Sequence, residues 1–364
     1  MKILFVARTY HDSDGYLIKN KNLFKNKNYQ EIINEVCNWS CSWFSEFYLL
    51  LRQKGNIKVE IIFPNLTYTM SEILENKIQY DEYYDYLIND FNPDLLIFSA
   101  ENNDLCEKLK RKNNQFILWK SSKCNTNDIR NQKEYFDIIF SDNKFILNIA
   151  DKLKIKNFFM LPAIPQRVIS KLNFMDKKND FLFTGSLGFD FKLRKKIIKY
   201  LLKNNVNLEI RSRDIKEDNR IIEFIMRKFS NINFVYSQRS IIKKKSKEPY
   251  YFLELFNYME NFRYIINTHS DFDADNAINN RVFESLSSGC LLFTNKNKTL
   301  EKYFLDEKHL IVYKNECDLL SKINFYKNNL ELSSKIAQNG QELIEKNHTA
   351  EIRLNYFKKI ININ

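Results

Sequence analysis

The sequence predicts an α/β protein made of two Rossmann-like domains whose parallel sheets face each other across a cleft. Short apolar runs alternate with stretches of helical apolar spacing along the chain, which is typical of parallel sheets covered by helices. The 364 residues exceed what one ordinary core needs. The alternation breaks once, between residues 161 and 180, so we expect a first domain over residues 1–170 and a second from residue 171.

The first domain is predicted to contain a sheet and one long early helix. Trp39, Trp43, Phe47 and Leu50 recur at helical spacing in a single helix that ends near Gly55. This aromatic stripe is interpreted as core, although it could be imagined as a stacking platform for a sugar. The predicted strands are Ile3–Ala7, Val59–Phe63, Asp94–Phe98, Phe116–Trp119, Asp137–Phe140 and Phe158–Leu161.

The second domain repeats the alternation of strands and helices. Its strands are predicted at residues 181–184, 207–211, 233–236, 264–270, 290–295 and 310–313. Helices are expected at residues 193–204, 221–229, 250–258, 280–288 and 300–304, and from there to the end of the chain. Gly289 is one of only six glycines and stands where a helix must turn into the next strand, so we expect it to adopt a left-handed backbone.

Composition restricts the location and the cofactors. No apolar run approaches the roughly 20 residues that span a bilayer, and the opening MKILFVA is too short for a signal peptide. We therefore expect a protein of the cytoplasm or of the inner face of the membrane. The six cysteines are interpreted as reduced structural thiols. Because the cysteines and the four histidines are not spaced as a zinc site, neither a metal nor another cofactor is expected.

The net charge of +12 raises the question of a nucleic-acid partner. The positive charge is dispersed among 45 acidic residues rather than gathered on one face, so no nucleic-acid partner is expected. The one dense basic run, Lys243 to Lys247, is interpreted as a solvated loop. Its alternative is a peripheral contact with the membrane or with an acceptor.

The strand–helix–strand unit around Glu284 is the first candidate site. Arg281 precedes this carboxylate by three residues, and Gly289 closes the helix. A carboxylate at the carboxyl end of a parallel sheet can accept two hydrogen bonds from a vicinal diol such as a ribose. The unit therefore predicts a ligand crevice at the mouth of the sheet.

A glycine-containing turn is the second candidate site. Gly185, Ser186 and Gly188 lie between a predicted strand and a helix, where backbone amides and a helix N-terminus can hold a phosphate. Lys192 and Arg194 follow and could offset the charge of a diphosphate leaving group. The alternatives are an ordinary connecting turn and an exposed basic helix face.

The acidic segment with Asp273, Asp275 and Asn276 is predicted to accept hydrogen bonds from sugar hydroxyls. Its alternatives are a solvated acidic turn and an Asp-x-Asp metal site bound through a diphosphate, and we disfavour the metal site. A calcium loop would need Gly at position 276 and Glu at 282, where Asn276 and Val282 stand.

Four blocks, in order along residues 263–354, resemble the C-terminal domain of CgeB-like glycosyltransferases, which are related to the retaining family 4 enzymes of GT-B fold. The blocks read NRVFESLSSGCLLFTN, LEKYF, HLIVYKNECDLLSKINFYKNN and AQNGQELIEKNHTAEIRL. The resemblance implies a GT-B architecture with an acceptor-binding domain (1–170), a nucleotide-sugar-binding domain (171–346) and a terminal helix (347–364) that crosses back to the first domain.

The implied activity is a metal-independent, retaining transfer of the hexosyltransferase type. A sugar would pass from a nucleotide-sugar, with a UDP-sugar favoured, to a glycan, a protein or another acceptor destined for the cell surface. By resemblance Glu284 holds the ribose and Arg281 and Asn280 are the polar pair before it. Gly185, Ser186 and Arg194 resemble the residues near the diphosphate, and the base lies near Tyr236 and Arg239.

Two departures from the family pattern leave the chemistry open. Asn276 stands where family 4 enzymes commonly carry a second glutamate, and Ser99 and Glu101 stand where they often place a histidine. The catalytic and acceptor-side candidates are therefore Glu101 together with His11, Asp12 and Asp14 after the first strand. Two other readings stay open, a catalytically silent nucleotide-sugar-binding protein and a basic nucleic-acid-binding protein.

Overall fold

A computed structural model describes residues 1–8, 12–24, 26–66, 86–110, 114–121, 126–188, 191–212, 242, 244–269 and 275–363, with backbone only at 12–15, 65 and 86–88. The chain divides into two compact units. Met1–Gln166 and His348–Asn364 form the N-terminal unit, and Arg167–Asn347 forms the C-terminal unit. The last helix of the chain therefore packs with the N-terminal unit.

The N-terminal unit contains a parallel sheet of six strands among the residues described, in the order β2-β1-β3-β4-β5-β6. Alternate residues of β1 enter different cores: Ile3 and Phe5 pack on one side of the sheet, Leu4 and Val6 on the other. Apolar runs form these strands because both faces are covered. The strands are β1 (Lys2–Val6), β2 (Lys58–Ile62), β3 (Leu95–Phe98), β4 (Gln115–Trp119), β5 (Ile138–Ser141) and β6 (Lys156–Phe159).

The C-terminal unit contains a second parallel sheet, with six described strands in the order β12-β11-β10-β7-β8-β9. Its core is aromatic, and the ring of Phe181 stacks on that of Tyr264 with centroids 4.7 Å apart. The two sheets confirm the predicted α/β fold of two Rossmann-like domains. The strands are β7 (Lys178–Thr184), β8 (Leu208–Arg211), β9 (Ser246–Lys247), β10 (Phe262–Ile266), β11 (Leu291–Asn295) and β12 (Ile311–Tyr313).

Helices connect the strands in both units. In the N-terminal unit they are α1 (Asp12–Lys19), α2 (Lys21–Phe24), α3 (Tyr29–Ser40), α4 (Trp43–Arg52), α5 (Asn103–Leu109), α6 (Thr126–Gln132) and α7 (Lys144–Lys152), with a π-helical segment at Tyr86–Phe91. The C-terminal unit contributes α8 (Lys192–Lys203), α9 (Phe252–Met259), α10 (Asn280–Ser287), α11 (Glu316–Asn328) and α12 (Leu330–Asn347), and α13 (Ala350–Ile360) returns to the N-terminal unit.

The single long helix predicted across Trp39 and Trp43 is wrong. The chain turns at Cys41, which has a left-handed backbone (φ 46°), and Ser42 caps the next helix by accepting a hydrogen bond from the amide of Ser45. The interpretation of the tryptophans as core is confirmed, since Trp39 is 6% exposed and Trp43 packs against the core.

The basic run at Lys243 to Lys247 is also corrected in part. Ser246–Lys247 forms the edge strand β9, paired with β8, instead of a loop. Lys244 and Lys245 before it are exposed. The predicted strand 233–236 and helix 221–229 lie outside the described residues, and the predicted helix at 300–304 is a 3-10 turn at Leu300–Lys302.

The cysteines described are all free thiols. Cys37, Cys41, Cys106 and Cys290 are buried, as expected of structural thiols, whereas Cys317 is exposed. Within the described ranges no group of three or more His, Cys, Asp or Glu side chains is placed to hold a metal ion. Among the helices described, none is long and apolar enough to cross a membrane.

Candidate functional site

The carboxyl edge of the C-terminal sheet gathers the candidate binding residues. Strands β7, β10 and β11 are neighbours and parallel, so the turn at Gly185–Ser186, the segment Asn267–His269 and the segment Thr294–Asn297 all leave the sheet at the same edge. In open α/β sheets this edge is where ligands bind. Helix α10 begins after the segment that follows β10.

Arg194 joins two of these strand ends. Its Nε donates to the carbonyl of Thr268 (3.1 Å), and its Nη1 donates to the carbonyl of Ser186 (3.1 Å). The guanidinium also stacks on Phe191, with its central carbon 4.4 Å from the ring centroid. Of the two predicted cations, Arg194 is therefore fixed beside the Gly185–Ser186 turn, whereas Lys192 is exposed at the start of α8.

A buried network of hydrogen bonds joins the ends of β10, β11 and β12. The Asn267 amide donates to the hydroxyl of Thr294 (2.9 Å) and exchanges hydrogen bonds with the amide of Asn279, the residue before α10. The Tyr313 hydroxyl donates to the carbonyl of Asn267 (2.8 Å) and lies 2.8 Å from the hydroxyl of Thr268. This network fixes the start of α10 relative to the sheet.

His269 continues the same network. Its backbone amide donates to Oδ1 of Asn295 (2.7 Å), and its Nδ1 lies 3.1 Å from that oxygen. The side chain is buried, and burial lowers the pKa of His269 to about 4. The imidazole is therefore neutral at pH 7. Sequence reasoning did not select His269 or the network around it, although the polar triplet Asn267–His269 directly after an apolar strand is a signal that could have found them.

Helix α10 presents Glu284 and Arg281 as an ion pair, with 2.6 Å between Arg281 Nη1 and Glu284 Oε2. The two side chains are 18% and 20% exposed, so the pair is half-buried and within reach of solvent. Asn280 before them is exposed. Gly289, which follows the end of α10, has φ +65°, and this confirms the predicted left-handed backbone.

Asp275 is engaged by the loop that follows β11. Its Oδ1 accepts from the amide of Lys298 (3.0 Å), and its Oδ2 pairs with the Lys298 ammonium (3.2 Å). These contacts, led by the backbone amide, lower the pKa of Asp275. Asn276 beside it is half-buried, and Asp273 lies outside the described residues. The Asp275 carboxylate is thus bound by Lys298, and its role with sugar hydroxyls stays a prediction.

The acceptor-side candidates lie in the N-terminal unit. Glu101 follows β3 and forms an ion pair with Lys120, which follows β4. Ser99 accepts a hydrogen bond from the amide of Arg8 (2.6 Å), so the ends of β1 and β3 are also joined. Asp12 and Asp14 lie in α1. The remaining predicted site residues, His11, Tyr236 and Arg239, lie outside the described residues.

Comparison with sequence families identifies the class of this C-terminal region. Residues 219–359 match a family described as glycosyl transferase-like. These residues include α10 with Glu284 and Arg281, the segment with His269, and α12. The chain therefore carries a glycosyltransferase-like domain, and its two parallel sheets have the GT-B architecture. A comparison with curated protein sequences found no match.

Solved structures with this fold cover the whole chain at low identity. The HepE protein of Anabaena, solved with UDP-glucose, is 9% identical with a TM-score of 0.60, over 100% of this chain and 99% of that one. A glycosyltransferase from Rickettsia africae is 10% identical with a TM-score of 0.58, over 99% and 97%. Sucrose-phosphate synthase from Thermosynechococcus elongatus is 7% identical with a TM-score of 0.58, over 99% and 98%. At these identities the similarity establishes the fold.

Proposed function

We propose that this protein is a CgeB-like glycosyltransferase that transfers a sugar from a UDP-sugar to a glycan or protein acceptor. The observation that carries the proposal is the half-buried Glu284–Arg281 pair on α10, within the glycosyl transferase-like region and after the strand next to the Gly185–Ser186 turn. The ion pair and the turn both belong to the carboxyl edge of one sheet. A nucleoside diphosphate needs an acceptor for its ribose hydroxyls, which Glu284 supplies, and positive charge near its phosphates, which the residues of the turn and α8 supply.

Glu284 is proposed to bind the ribose. A carboxylate can accept hydrogen bonds from both hydroxyls of a vicinal diol, and the charge of Arg281 beside Oε2 restrains the Glu284 side chain. The buried network through Asn267 and Asn279 fixes the start of the same helix. The carboxylate is therefore preorganised before the nucleotide arrives, and the base is proposed to lie near Tyr236 and Arg239.

The diphosphate is proposed to lie at the Gly185–Ser186 turn. The first turn of α8 presents backbone amides, and the twelve residues of this helix place the positive end of its dipole there. Arg194 is fixed at the same turn and Lys192 is exposed beside it. As the bond between the anomeric carbon and the diphosphate oxygen breaks, the electron pair stays on that oxygen, and these charges stabilise it. The acceptor oxygen bonds to the anomeric carbon and its proton passes to the departing diphosphate. We propose that this transfer needs no metal and retains the anomeric configuration.

Acceptor binding is proposed for the N-terminal unit. Glu101 and Lys120 form a charged pair beyond the ends of β3 and β4, and such a pair can bind the hydroxyls of a sugar acceptor. His11 and Asp14 are further candidates there. A peripheral contact with an anionic membrane is proposed for the basic run, in which Lys244, Lys245 and Lys247 are exposed.

The proposal is tested by ligand-induced stabilisation. Purified protein is heated with UDP-, GDP-, CMP- and ADP-sugars, and a UDP-sugar is expected to raise the melting temperature most, because a ligand of the folded state stabilises it by mass action. Slow hydrolysis of the same UDP-sugar would distinguish an enzyme from a silent binding protein. If no nucleotide-sugar raises the melting temperature, the proposed function is wrong.

The placement of the nucleotide is tested by Glu284→Ala. Losing hydrogen bonds to a charged acceptor is expected to weaken UDP at least about tenfold. Glu331→Ala is the matched control, because it removes an exposed carboxylate from the first turn of another helix of the same unit. Equal UDP affinity in the two variants would place the ribose elsewhere.

A further inference from the structure

The hydrogen bonds around His269 determine which ring nitrogen carries the proton. Oδ1 of Asn295 accepts from the backbone amide of His269, so this atom is the oxygen of the Asn295 side chain and not its nitrogen. The same oxygen lies 3.1 Å from Nδ1 of the ring and is its nearer polar neighbour, since the hydroxyl of Thr294 lies 3.4 Å away. Two lone pairs would repel at this distance, so Nδ1 carries the hydrogen and donates it. In a neutral imidazole the other nitrogen, Nε2, is then an acceptor with a free lone pair.

The acceptor nitrogen of His269 is buried, and the described part of the chain offers it no hydrogen-bond partner. The side chain is 3% exposed. A buried acceptor left unpaired costs free energy, so such atoms in native proteins are usually paired with water or a ligand. In His348 of the N-terminal unit the acceptor nitrogen is paired. It is Nδ1, which lies 3.0 Å from Nη2 of Arg353, and an arginine can only donate.

The surroundings of the ring indicate the kind of ligand. His269 follows Thr268, whose carbonyl accepts a hydrogen bond from Arg194. Besides burial, the charge of Arg194 lowers the pKa of His269, and the charge of Asp275 raises it. His269 therefore belongs to the edge where Arg194 is fixed beside the Gly185–Ser186 turn. A phosphate oxygen has no proton to offer to a lone pair. A hydroxyl does, and the sugar attached to the diphosphate supplies hydroxyls.

We propose that Nε2 of His269 accepts a hydrogen bond from a hydroxyl of the transferred sugar. His269 is then a residue that selects and positions the sugar, whereas Glu284 binds the ribose. This inference rests on the proposed function, since it needs a nucleotide-sugar at this edge. It predicts that His269 contributes to the affinity for the UDP-sugar and not to the affinity for UDP.

The test compares the dissociation constants of UDP and of a UDP-sugar by calorimetry. The sugar is the one with the largest thermal shift, with UDP-glucose used first. His269→Phe keeps a flat ring and removes the acceptor, so it is expected to weaken the UDP-sugar about tenfold and to leave UDP unchanged. His269→Gln keeps a side-chain acceptor and is expected to lose less. Deoxy analogues of the sugar then identify the hydroxyl, because the right one loses affinity for the wild type but not for His269→Phe.

Several outcomes would overturn the inference. Equal affinities of wild type and His269→Phe for both ligands, with a lower stability of the variant, would indicate that Nε2 binds only an internal water. Equal weakening of UDP and UDP-sugar would indicate general damage to the site. If His269→Phe does not fold, the ¹⁵N shift of Nε2 in the wild type is measured instead. It must respond to the UDP-sugar and not to UDP. Failure of UDP itself to bind the wild type would instead refute the proposed function.

Discussion

The two sheets of this protein have the same construction but different carboxyl edges. At the edge of the C-terminal sheet, Asn267, Thr294 and Tyr313 are buried and bonded to one another across three neighbouring strands. At the edge of the N-terminal sheet, Glu101 and Lys120 form an ion pair that solvent reaches. A buried network of several hydrogen bonds holds groups in one geometry, whereas a single ion pair has only its own contact to hold it. This difference agrees with the proposal that the C-terminal unit binds the nucleotide, which is the same in every reaction cycle, and that the N-terminal unit binds the acceptor.

The largest effect that separates the two units is expected from Gly340→Ala. A Cβ at Gly340 would clash with the backbone carbonyl of His309 and lie 2.8 Å from Cδ2 of Leu286, so overpacking should cost about 2–3 kcal/mol. The three tryptophans, Trp39, Trp43 and Trp119, all belong to the N-terminal unit. In urea, the circular-dichroism transition should therefore move to lower denaturant further than the tryptophan-fluorescence transition.

Gly55→Ala is the control for this prediction in the N-terminal unit. Gly55 has φ +69° and nothing within 4 Å of its added Cβ, so only backbone strain of about 1–2 kcal/mol is expected. This variant should move the fluorescence transition instead. If Gly340→Ala moved both signals equally, the two units would unfold as one body and the comparison between them would lose its thermodynamic basis.

The second prediction concerns the support of helix α10. The ammonium of Lys177 is buried and donates to the carbonyls of Glu260 (2.7 Å) and Ser288 (2.8 Å), which lie at the ends of α9 and α10. Lys177→Met leaves both carbonyls without this donor and should lower the free energy of unfolding by about 2 kcal/mol in urea titrations. The neighbouring Lys178 is exposed, and Lys178→Met should change it by less than about 0.5 kcal/mol. Similar losses in the two variants would contradict this role.

Most strands of the two sheets could be predicted from the sequence because their signals are local, whereas the edge strand β9, two residues of a basic run, has no apolar signal. Apolar runs such as Ile3–Ala7 indicate strands buried on both faces. Because glycine is scarce in this chain, its presence at position 289 predicted the left-handed backbone found there. The helix break at Cys41 was not predicted, because the apolar spacing of Trp39 and Trp43 continues across it. Only the cap by Ser42 and the backbone at Cys41 end the helix there.

The candidate site was only partly predictable, for a different reason. Glu284 and Arg281 are three residues apart on one helix, so their proximity follows from helical spacing. The contact of Arg194 with Thr268 joins residues 74 positions apart and depends on β7 lying beside β10. His269 acquires its acceptor role from Asn295, at the end of yet another strand. Such contacts depend on the order of strands in the sheet, which local patterns do not specify.

The third prediction compares the buried histidines by their pH dependence. Burial lowers the pKa of His348 in the N-terminal unit to about 3, with the charge of Arg353 adding to the effect, and lowers that of His269 to about 4. Both values are below the ordinary 6.5, so the unfolded chain binds more protons between pH 6.5 and these values. Stability is therefore full above pH 6.5 and falls as the solution is acidified, by about 1.4 kcal/mol per pH unit for each histidine.

His348→Gln tests this dependence in one unit. Urea transitions followed by tryptophan fluorescence at pH 6.5 and 5.5 should show a loss of stability that is about 1 kcal/mol smaller in the variant than in the wild type. Circular dichroism reports both units, and the part of its pH dependence that comes from His269 in the C-terminal unit should remain. An identical pH dependence of the fluorescence transition in wild type and variant would mean that His348 is not a source of acid sensitivity.

The smallest effect is expected at the edge of the N-terminal sheet, and it tests the division between the units most directly. Glu101→Gln removes one charge but keeps a side-chain oxygen that can accept a hydrogen bond from Lys120, so the free energy of unfolding should change by less than about 1 kcal/mol. Lys120→Met is the matched change on the other partner. The melting-temperature increase caused by UDP should be the same in wild type and both variants, because the nucleotide is assigned to the other unit. A smaller increase in Glu101→Gln would mean that the nucleotide depends on this carboxylate, and the buried edge of the C-terminal sheet would then not suffice to bind it.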